Sequence, residues 1–273
     1  MTTVQAIVLG IIQGLTEFLP VSSSGHLVLF SQLFAVEQSS LVFEVMVHVG
    51  TLFAVLVALR TEVLVLLTSV LKLVRSPKKT RQLLREDPGC RILLAIVVGT
   101  LPAVVAALLL KDLIETLFTS TLLVGLMLVV TGTILYWTER YKVQKRGMQA
   151  ISARDALVIG LGQALAIVPG LSRSGTTIAM GLFRGLDRDS SARFSFLLAI
   201  PAILGALVFS LDDLLQGTAN LGWGPLGAGF LAAGLTGYVA IRFLLDLVKK
   251  GRLIWFSYYT WLVGALILVM QLA

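Results

Sequence analysis

The chain has one cysteine, Cys90, and two histidines, His26 and His48, among 273 residues. No intramolecular disulfide and no cysteine-based metal cluster can be built from that stock. Charge is scarce too: 14% of residues are Asp, Glu, Lys or Arg, 57% are hydrophobic, and the mean hydropathy is +0.92. A water-soluble domain carries roughly a quarter charged residues, so this balance places the chain in a bilayer. A basic segment is missing from the N-terminus, and the first apolar stretch carries Gln13 and Glu17. The expectation is therefore no cleaved signal peptide, and an intact polytopic protein of the inner-membrane type.

Acid is the scarcer sign, with 15 Asp and Glu against 22 Lys and Arg, a formal net charge of +7. The basic excess is confined to four connections, 75–91, 139–155, 184–193 and 246–252. The other connections are acidic: Glu37, then Lys111 with Asp112 and Glu115, then Asp212 with Asp213. That asymmetry puts the basic connections in the cytoplasm, against anionic lipid, and argues against a nucleic-acid partner.

A membrane-spanning helix needs about 20 mostly apolar residues. Six segments qualify: 41–59, 92–110, 121–137, 194–211, 225–245 and 254–272. The 62–74 stretch is shorter and ends in Lys72 and Arg75, which suits a helix extension or a helix lying in the interface. Two apolar regions remain, 3–35 and 156–183, each interrupted by a break rich in Pro, Ser and Gly. Proline ends a helix at or before its own position, and each piece is too short to span. Irregular backbone at membrane depth survives only where protein buries it or it lines a wet cavity. Both regions are thus expected to be re-entrant helical hairpins whose tips meet near the bilayer centre, the first entering from outside and the second from the cytoplasm. Three spans follow each hairpin. The predicted fold is an all-α polytopic membrane protein, one domain over 1–273, with inverted halves at about 1–140 and 155–273.

The two breaks share a frame. Gln13-Gly14-Leu15-Thr16-Glu17 leads into Pro20-Val21-Ser22-Ser23-Ser24-Gly25-His26, and Gln163 leads into Pro169-Gly170-Leu171-Ser172-Arg173-Ser174-Gly175-Thr176-Thr177. Gln to Gly spans 12 positions in each copy, at a constant offset of 150. Ser22 matches Ser172, Ser24 matches Ser174, and Ser23 faces Arg173. One copy carries a carboxylate and an imidazole, the other a guanidinium. Matching broken segments in two halves of a membrane protein point to a binding site between them.

Gln13 and Glu17, four apart, share a helix face. A carboxylate at membrane depth marks a site by default, and with a carboxamide and phosphate oxygens it suits Mg2+ or Ca2+. The plainer alternative is that the two residues hydrogen-bond helices together. Ser22, Ser23 and Ser24 beside His26 offer an activated nucleophile or a proton relay, or simply a serine cap. Arg173, flanked by Ser172 and Ser174 and followed by Thr176 and Thr177, suits a bidentate phosphate clamp. It can also pair with Glu17 until an anion arrives. Glu44 and His48 are four apart on 41–59 and can face the same cavity or act as interhelical glue.

These motifs together resemble the bacterial undecaprenyl-diphosphate phosphatases of the bacitracin-resistance type, over nearly the whole chain. The resemblance implies an integral membrane enzyme that removes the terminal phosphate of undecaprenyl diphosphate at the outer membrane face. Its product, undecaprenyl phosphate, is the carrier lipid of peptidoglycan synthesis. The family's acidic pair is Glu or Gln followed four later by Glu, so Glu17 is expected as the main acidic group and Gln13 as a lesser ligand of a divalent cation. Glu17, Ser23, His26 and Arg173 are the expected catalytic residues. Gln13, Ser22, Ser24, Ser172, Ser174, Thr176 and Thr177 are the expected substrate contacts. Another superfamily of membrane lipid phosphatases uses a histidine after its arginine motif, and neither His26 nor His48 follows Arg173. The expected partners are the polyprenyl diphosphate lipid, the bilayer and, in a homodimer, a second copy. The rival from another class is a transporter of a polyprenyl phosphate lipid, since broken helices at the midplane are also a transporter signature.

Overall fold

A computed structural model describes residues 1–33, 41–141, 145–209 and 222–272; among these the chain is helical, with one isolated bridge between Arg146 and Leu186. The helices are α1 (Thr3–Phe18), α2 (Ser23–Leu33), α3 (Leu41–Ala58), α4 (Arg60–Arg75), α5 (Thr80–Glu86), α6 (Pro88–Leu109), α7 (Lys111–Phe118), α8 (Thr121–Arg140), α9 (Ala153–Leu165), α10 (Arg173–Phe183), α11 (Arg188–Phe209), α12 (Trp223–Lys249) and α13 (Ile254–Leu272). Five of them, α6, α8, α11, α12 and α13, are long and apolar enough to cross a bilayer, and α3 with α4 makes a sixth crossing if that bent pair is one span. All six expected segments are therefore helical. Helices α6 and α11 begin several residues before the apolar stretch does. Asp87 explains the first, because its carboxylate accepts from the Cys90 amide and Pro88 occupies the first helical position. The acidic connections at Glu37 and at Asp212 and Asp213 lie outside the described residues.

The 62–74 stretch belongs to α4, which turns 89° away from α3. That angle excludes a straight extension and fits a helix lying across the end of the bundle. Its apolar residues Leu64, Leu67 and Leu71 are exposed. So are Leu109, Val208, Leu235 and Leu262 on the long helices, each more than 70% exposed. Apolar surface on this scale is covered by lipid in a polytopic protein.

Both broken regions are helix pairs, α1 with α2 and α9 with α10. Their packing is an exchange: α1 lies on α12 in the other half, and α9 lies on α6. Glycines set both contacts. A methyl on Gly10 would lie 2.5 Å from the Gly229 carbonyl oxygen, and one on Gly160, 150 positions later, would fall on the Gly99 carbonyl oxygen. The tips repeat the pattern, since Gly25 faces the Gly170 backbone and Gly175 faces Pro20, again pairs offset by 150. Helices α8 and α13, the last of each half, pack on each other. One large apolar core, including Phe18, Leu59, Phe194, Phe196, Leu198 and Leu244, joins elements of both halves.

The basic connections converge at one end. Arg146 donates to Asp155 Oδ2 at 2.8 Å, and Arg184 donates to Asp155 Oδ1 at 2.9 Å. Arg188 grips Glu139 through both carboxylate oxygens at 3.0 and 3.1 Å. Lys249 lies 3.5 Å from Asp189, and Arg193 bonds Glu62 of α4. These bonds clamp the open end of the second hairpin, between the loop before α9 and the loop after α10. Burial pushes the Asp155 carboxyl up, but donors from Ser152, Arg146 and Arg184 outweigh it and hold the group at about 2.

Two predictions follow from this packing. Gly160→Ala should destabilise by about 1–3 kcal/mol through overpacking, read as a lower Tm in detergent. Gly205→Ala on α11, where a methyl meets nothing within 4 Å, should leave the Tm unchanged or raised; equal losses at both sites would disprove the close approach. For Asp155, the ordinary value is 3.8 and the folded value about 2, so its contribution is complete above pH 3.8 and lost as pH falls through about 2. It is worth about 2 kcal/mol. Asp155→Asn should melt below wild type at pH 6, with the gap narrowing toward pH 2.

Candidate functional site

The site is the meeting point of the two hairpin tips. Helix α1 ends at Phe18, ahead of Pro20, and its last turn carries Glu17. The chain then turns back through Ser22, the one described non-glycine residue with positive φ, at 70°. That left-handed conformation is costly for a side-chain-bearing residue and persists only where the surroundings impose it. Here the fold uses the Ser22 side chain as a cap: its Oγ accepts from the Gly25 amide at 3.3 Å and lies 3.3 Å from Ser24 Oγ. The second tip repeats the cap but not the backbone turn: Ser172 has φ −70°, and the positive φ there falls on Gly170, at 90°. Ser172 Oγ accepts from the Gly175 amide at 3.1 Å and lies 3.2 Å from Ser174 Oγ. The first serine of each run is thus an N-cap, as its residue type favours.

The residues facing each other across the repeat, Ser23 and Arg173, are the ones free for other work. Ser23 Oγ donates to Glu17 Oε2 at 2.7 Å, and Arg173 donates to Glu17 Oε1 at 2.6 Å. Gln13 Nε2 donates to Glu17 Oε2 at 2.9 Å, and His48 Nε2 lies 3.6 Å from the same oxygen. Glu17 is therefore the hub, buried and approached from α1, α2, α3 and α10. A buried carboxylate with a guanidinium and two further donors is satisfied; without them it would be very expensive.

Arg173 is held from behind. Its other terminal nitrogen donates to the Ser195 carbonyl at 3.3 Å. Thr177 Oγ1 donates to the Arg173 carbonyl at 2.7 Å and lies 2.6 Å from Ser195 Oγ. Ser174 Oγ donates to the Leu19 carbonyl at 3.1 Å, tying the second tip to the first. Thr131 of α8 anchors the second break, donating to the Gly170 carbonyl at 3.1 Å and accepting from the Ser172 amide at 3.0 Å. Neither Ser195 nor Thr131 belongs to either motif. Both sit in long apolar helices, 22 and 39 residues from the groups they hold, and no local pattern marks them.

His26 is 3% exposed and does not touch the Ser23 hydroxyl. Its Nδ1 lies 2.8 Å from the Ser22 carbonyl oxygen and its Nε2 lies 2.7 Å from the Tyr259 hydroxyl of α13. The hydroxyl bonded to the carboxylate is that of Ser23, so the base within reach of the serine is Glu17. His48, whose Nδ1 is turned to the Glu44 carbonyl at 2.7 Å, brings the second imidazole to the hub.

Several buried polar atoms here lack a protein partner: Gln13 Oε1, both amide atoms of Gln163, and Thr176 Oγ1. Such atoms call for a water, an ion or a ligand group. Among the described residues no three His, Cys, Asp or Glu gather as a metal cluster. The donor set beside Glu17 is one carboxylate plus the unpartnered carboxamide oxygen of Gln13. That fits a hard cation which takes its remaining oxygens from phosphate and water.

The glutamate–arginine pair predicts non-additivity. Arg173→Gln and Glu17→Gln should each destabilise by about 3–5 kcal/mol, because each leaves a buried partner unpaired. The double variant should lose less than the sum, measured by thermal unfolding in detergent. Strict additivity would mean that the two side chains do not interact.

Comparison with known proteins identifies the family. A family described as bacitracin resistance protein BacA matches residues 6–266. An undecaprenyl-diphosphatase from Carboxydothermus hydrogenoformans is 43% identical over 276 residues, covering 100% of this chain and 99% of its own length. One from Alkaliphilus metalliredigens is 42% identical and covers both chains completely. Another, from Desulfosudis oleivorans, is 44% identical over 98% of each chain.

Proposed function

The chain belongs to the family of bacitracin resistance protein BacA, and from that premise we infer that it is a membrane enzyme hydrolysing undecaprenyl diphosphate to undecaprenyl phosphate and inorganic phosphate. The full-length similarity to undecaprenyl-diphosphatases supports the substrate. The observation that carries the chemistry is the chain Ser23–Glu17–Arg173, with bonds of 2.7 and 2.6 Å.

In this reading the incoming diphosphate takes Arg173 from Glu17. The guanidinium moves from a carboxylate to phosphate oxygens, which it binds with the same fork. Glu17 Oε2, already bonded to the Ser23 hydroxyl at 2.7 Å, accepts the Ser23 proton as general base. Ser23 Oγ attacks the terminal phosphorus in line. A Ser–O–P bond forms, and the bridging P–O bond breaks with its electron pair on undecaprenyl phosphate. Water then hydrolyses the phosphoserine, Ser23 recovers its proton from Glu17, and inorganic phosphate leaves.

The amide-bearing starts of α2 and α10, both facing the break, add partial positive charge where the phosphoryl oxygens lie. We assign Ser22, Ser24, Ser172, Ser174, Thr176 and Thr177 to the substrate contacts; of these, Thr176 Oγ1 has no protein partner to give up. His26 serves proton transfer around the departing phosphate. Gln13 and Glu17 would hold a divalent cation, which would offset charge on the phosphoryl oxygens. The prenyl tail runs between helices whose outer faces are apolar.

We place the enzyme in the cytoplasmic membrane, with the basic connections inside and the reaction at the outer face. Convergence of the basic loops at one end supports that orientation, and the exchange packing supports opposite insertion of the two halves. A homodimer fits the same reading, because the site lies within one chain and pairing leaves it intact.

Purified protein should release phosphate from a long-chain polyprenyl diphosphate. EDTA should suppress release and Mg2+ or Ca2+ restore it. Glu17→Ala, Ser23→Ala and Arg173→Ala should each lower kcat by about 100-fold or more. Folded Ser23→Ala protein with the wild-type rate would exclude the serine as nucleophile and leave water in that role.

A further inference from the structure

Both ring nitrogens of His26 are occupied. A carbonyl oxygen can only accept, so the 2.8 Å contact with the Ser22 carbonyl places a proton on Nδ1. In the neutral ring Nε2 is then bare, and the Tyr259 hydroxyl at 2.7 Å donates to it. The two rings also lie nearly parallel, 11° apart with centroids 5.7 Å apart. Access decides the rest. His26 is 3% exposed while Tyr259 is 42% exposed. The imidazole is buried, and among the described residues Tyr259 is its one exposed hydrogen-bond partner.

We propose that Tyr259 is the proton door of His26: every proton that His26 takes up or gives out passes through the Tyr259 hydroxyl. This rests on the reading of His26 as a proton-transfer group. In uptake, a proton arrives on the phenol oxygen while the phenol's own proton crosses to Nε2. The ring becomes imidazolium, with protons on both nitrogens, and the phenol ends neutral. In release, Nε2 returns its proton to the phenol oxygen as the phenol proton leaves for the acceptor. No charge is left on the tyrosine in either direction. Tyr259 is a positioning residue in this scheme, acting through His26, and its bond also fixes the Nδ1–H tautomer. It lies 233 residues from His26 on the last helix, so it closes the first hairpin with an element of the second half.

Tyr259→Phe keeps the ring stacking and removes only the hydroxyl. On a long-chain polyprenyl diphosphate it should lower kcat by about 10- to 100-fold with KM unchanged. His26→Gln should lower kcat to a similar level, and the double variant should be no worse than the slower single one. Multiplying effects, or a Tyr259→Phe enzyme with wild-type kcat beside an impaired His26→Gln enzyme, would overturn the proposal while leaving the role of His26 standing. A His26→Gln enzyme with wild-type kcat would instead remove the reading on which the proposal rests. A second measurement needs no variant to fold. In wild-type protein carrying 15N-histidine, with only two histidines to assign, the His26 Nδ1 should bear the proton and Nε2 should resonate as a bare, hydrogen-bonded nitrogen. A proton on Nε2 with Nδ1 bare at neutral pH would refute the arrangement.

Discussion

Everything at the centre of this protein turns on one buried carboxylate. Glu17 is 8% exposed and receives donors from Gln13, Ser23 and Arg173, with His48 nearby. A charge in that position is tolerable only with its partners in place, and those partners come from both hairpins. The two breaks must therefore meet tip to tip, which in turn demands the glycine contacts that let α1 and α9 lie hard against α12 and α6. Hydrogen bonds from Ser174 to Leu19 and from Thr131 to the second break hold the tips at that register. The ion pair is weak evidence for stability by itself. Its value lies in specificity: only one arrangement of the halves satisfies it.

The repeat gives the site its asymmetry. Two breaks with the same caps bring two serine caps, two facing glycines and two helix starts to one place. Evenly matched chemistry on such a frame would make a symmetric anion cradle. The copies differ where Ser23 stands opposite Arg173, where Glu17 has an apolar counterpart in Ile167, and where His26 has Thr176. In the proposed mechanism one half supplies base and nucleophile, and the other supplies the cationic clamp.

Much of this was legible in the sequence because the informative features are local. The offset of 150, the breaks at Pro20 and Pro169, the apolar spans and the basic connections are all patterns within short windows. Gln13 and Glu17 reveal their shared face by spacing alone. What stayed hidden depends on tertiary neighbours. Ser195 and Thr131 are ordinary small polar residues until the fold sets them behind Arg173 and Gly170. Tyr259 looks like one more aromatic on an apolar helix until it meets His26. The direction of α4 stayed open between a helix extension and an interfacial helix, since an apolar run reports helix and burial but not direction. The helix starts at Pro88 and Arg188 were missed for a related reason: caps and charged first turns, rather than hydropathy, decide where a helix begins.

The distance along the chain between Glu17 and Arg173 has a consequence for how the protein is made. The partners are 156 residues apart, and α1 also waits for α12 before its glycine face is covered. At synthesis rates of about 5–20 residues per second, the carboxylate precedes its guanidinium by about 8–30 s. A lone carboxylate does not rest in hydrocarbon for that long without cost. The contacts between the two tips can therefore close only after the second half has been made.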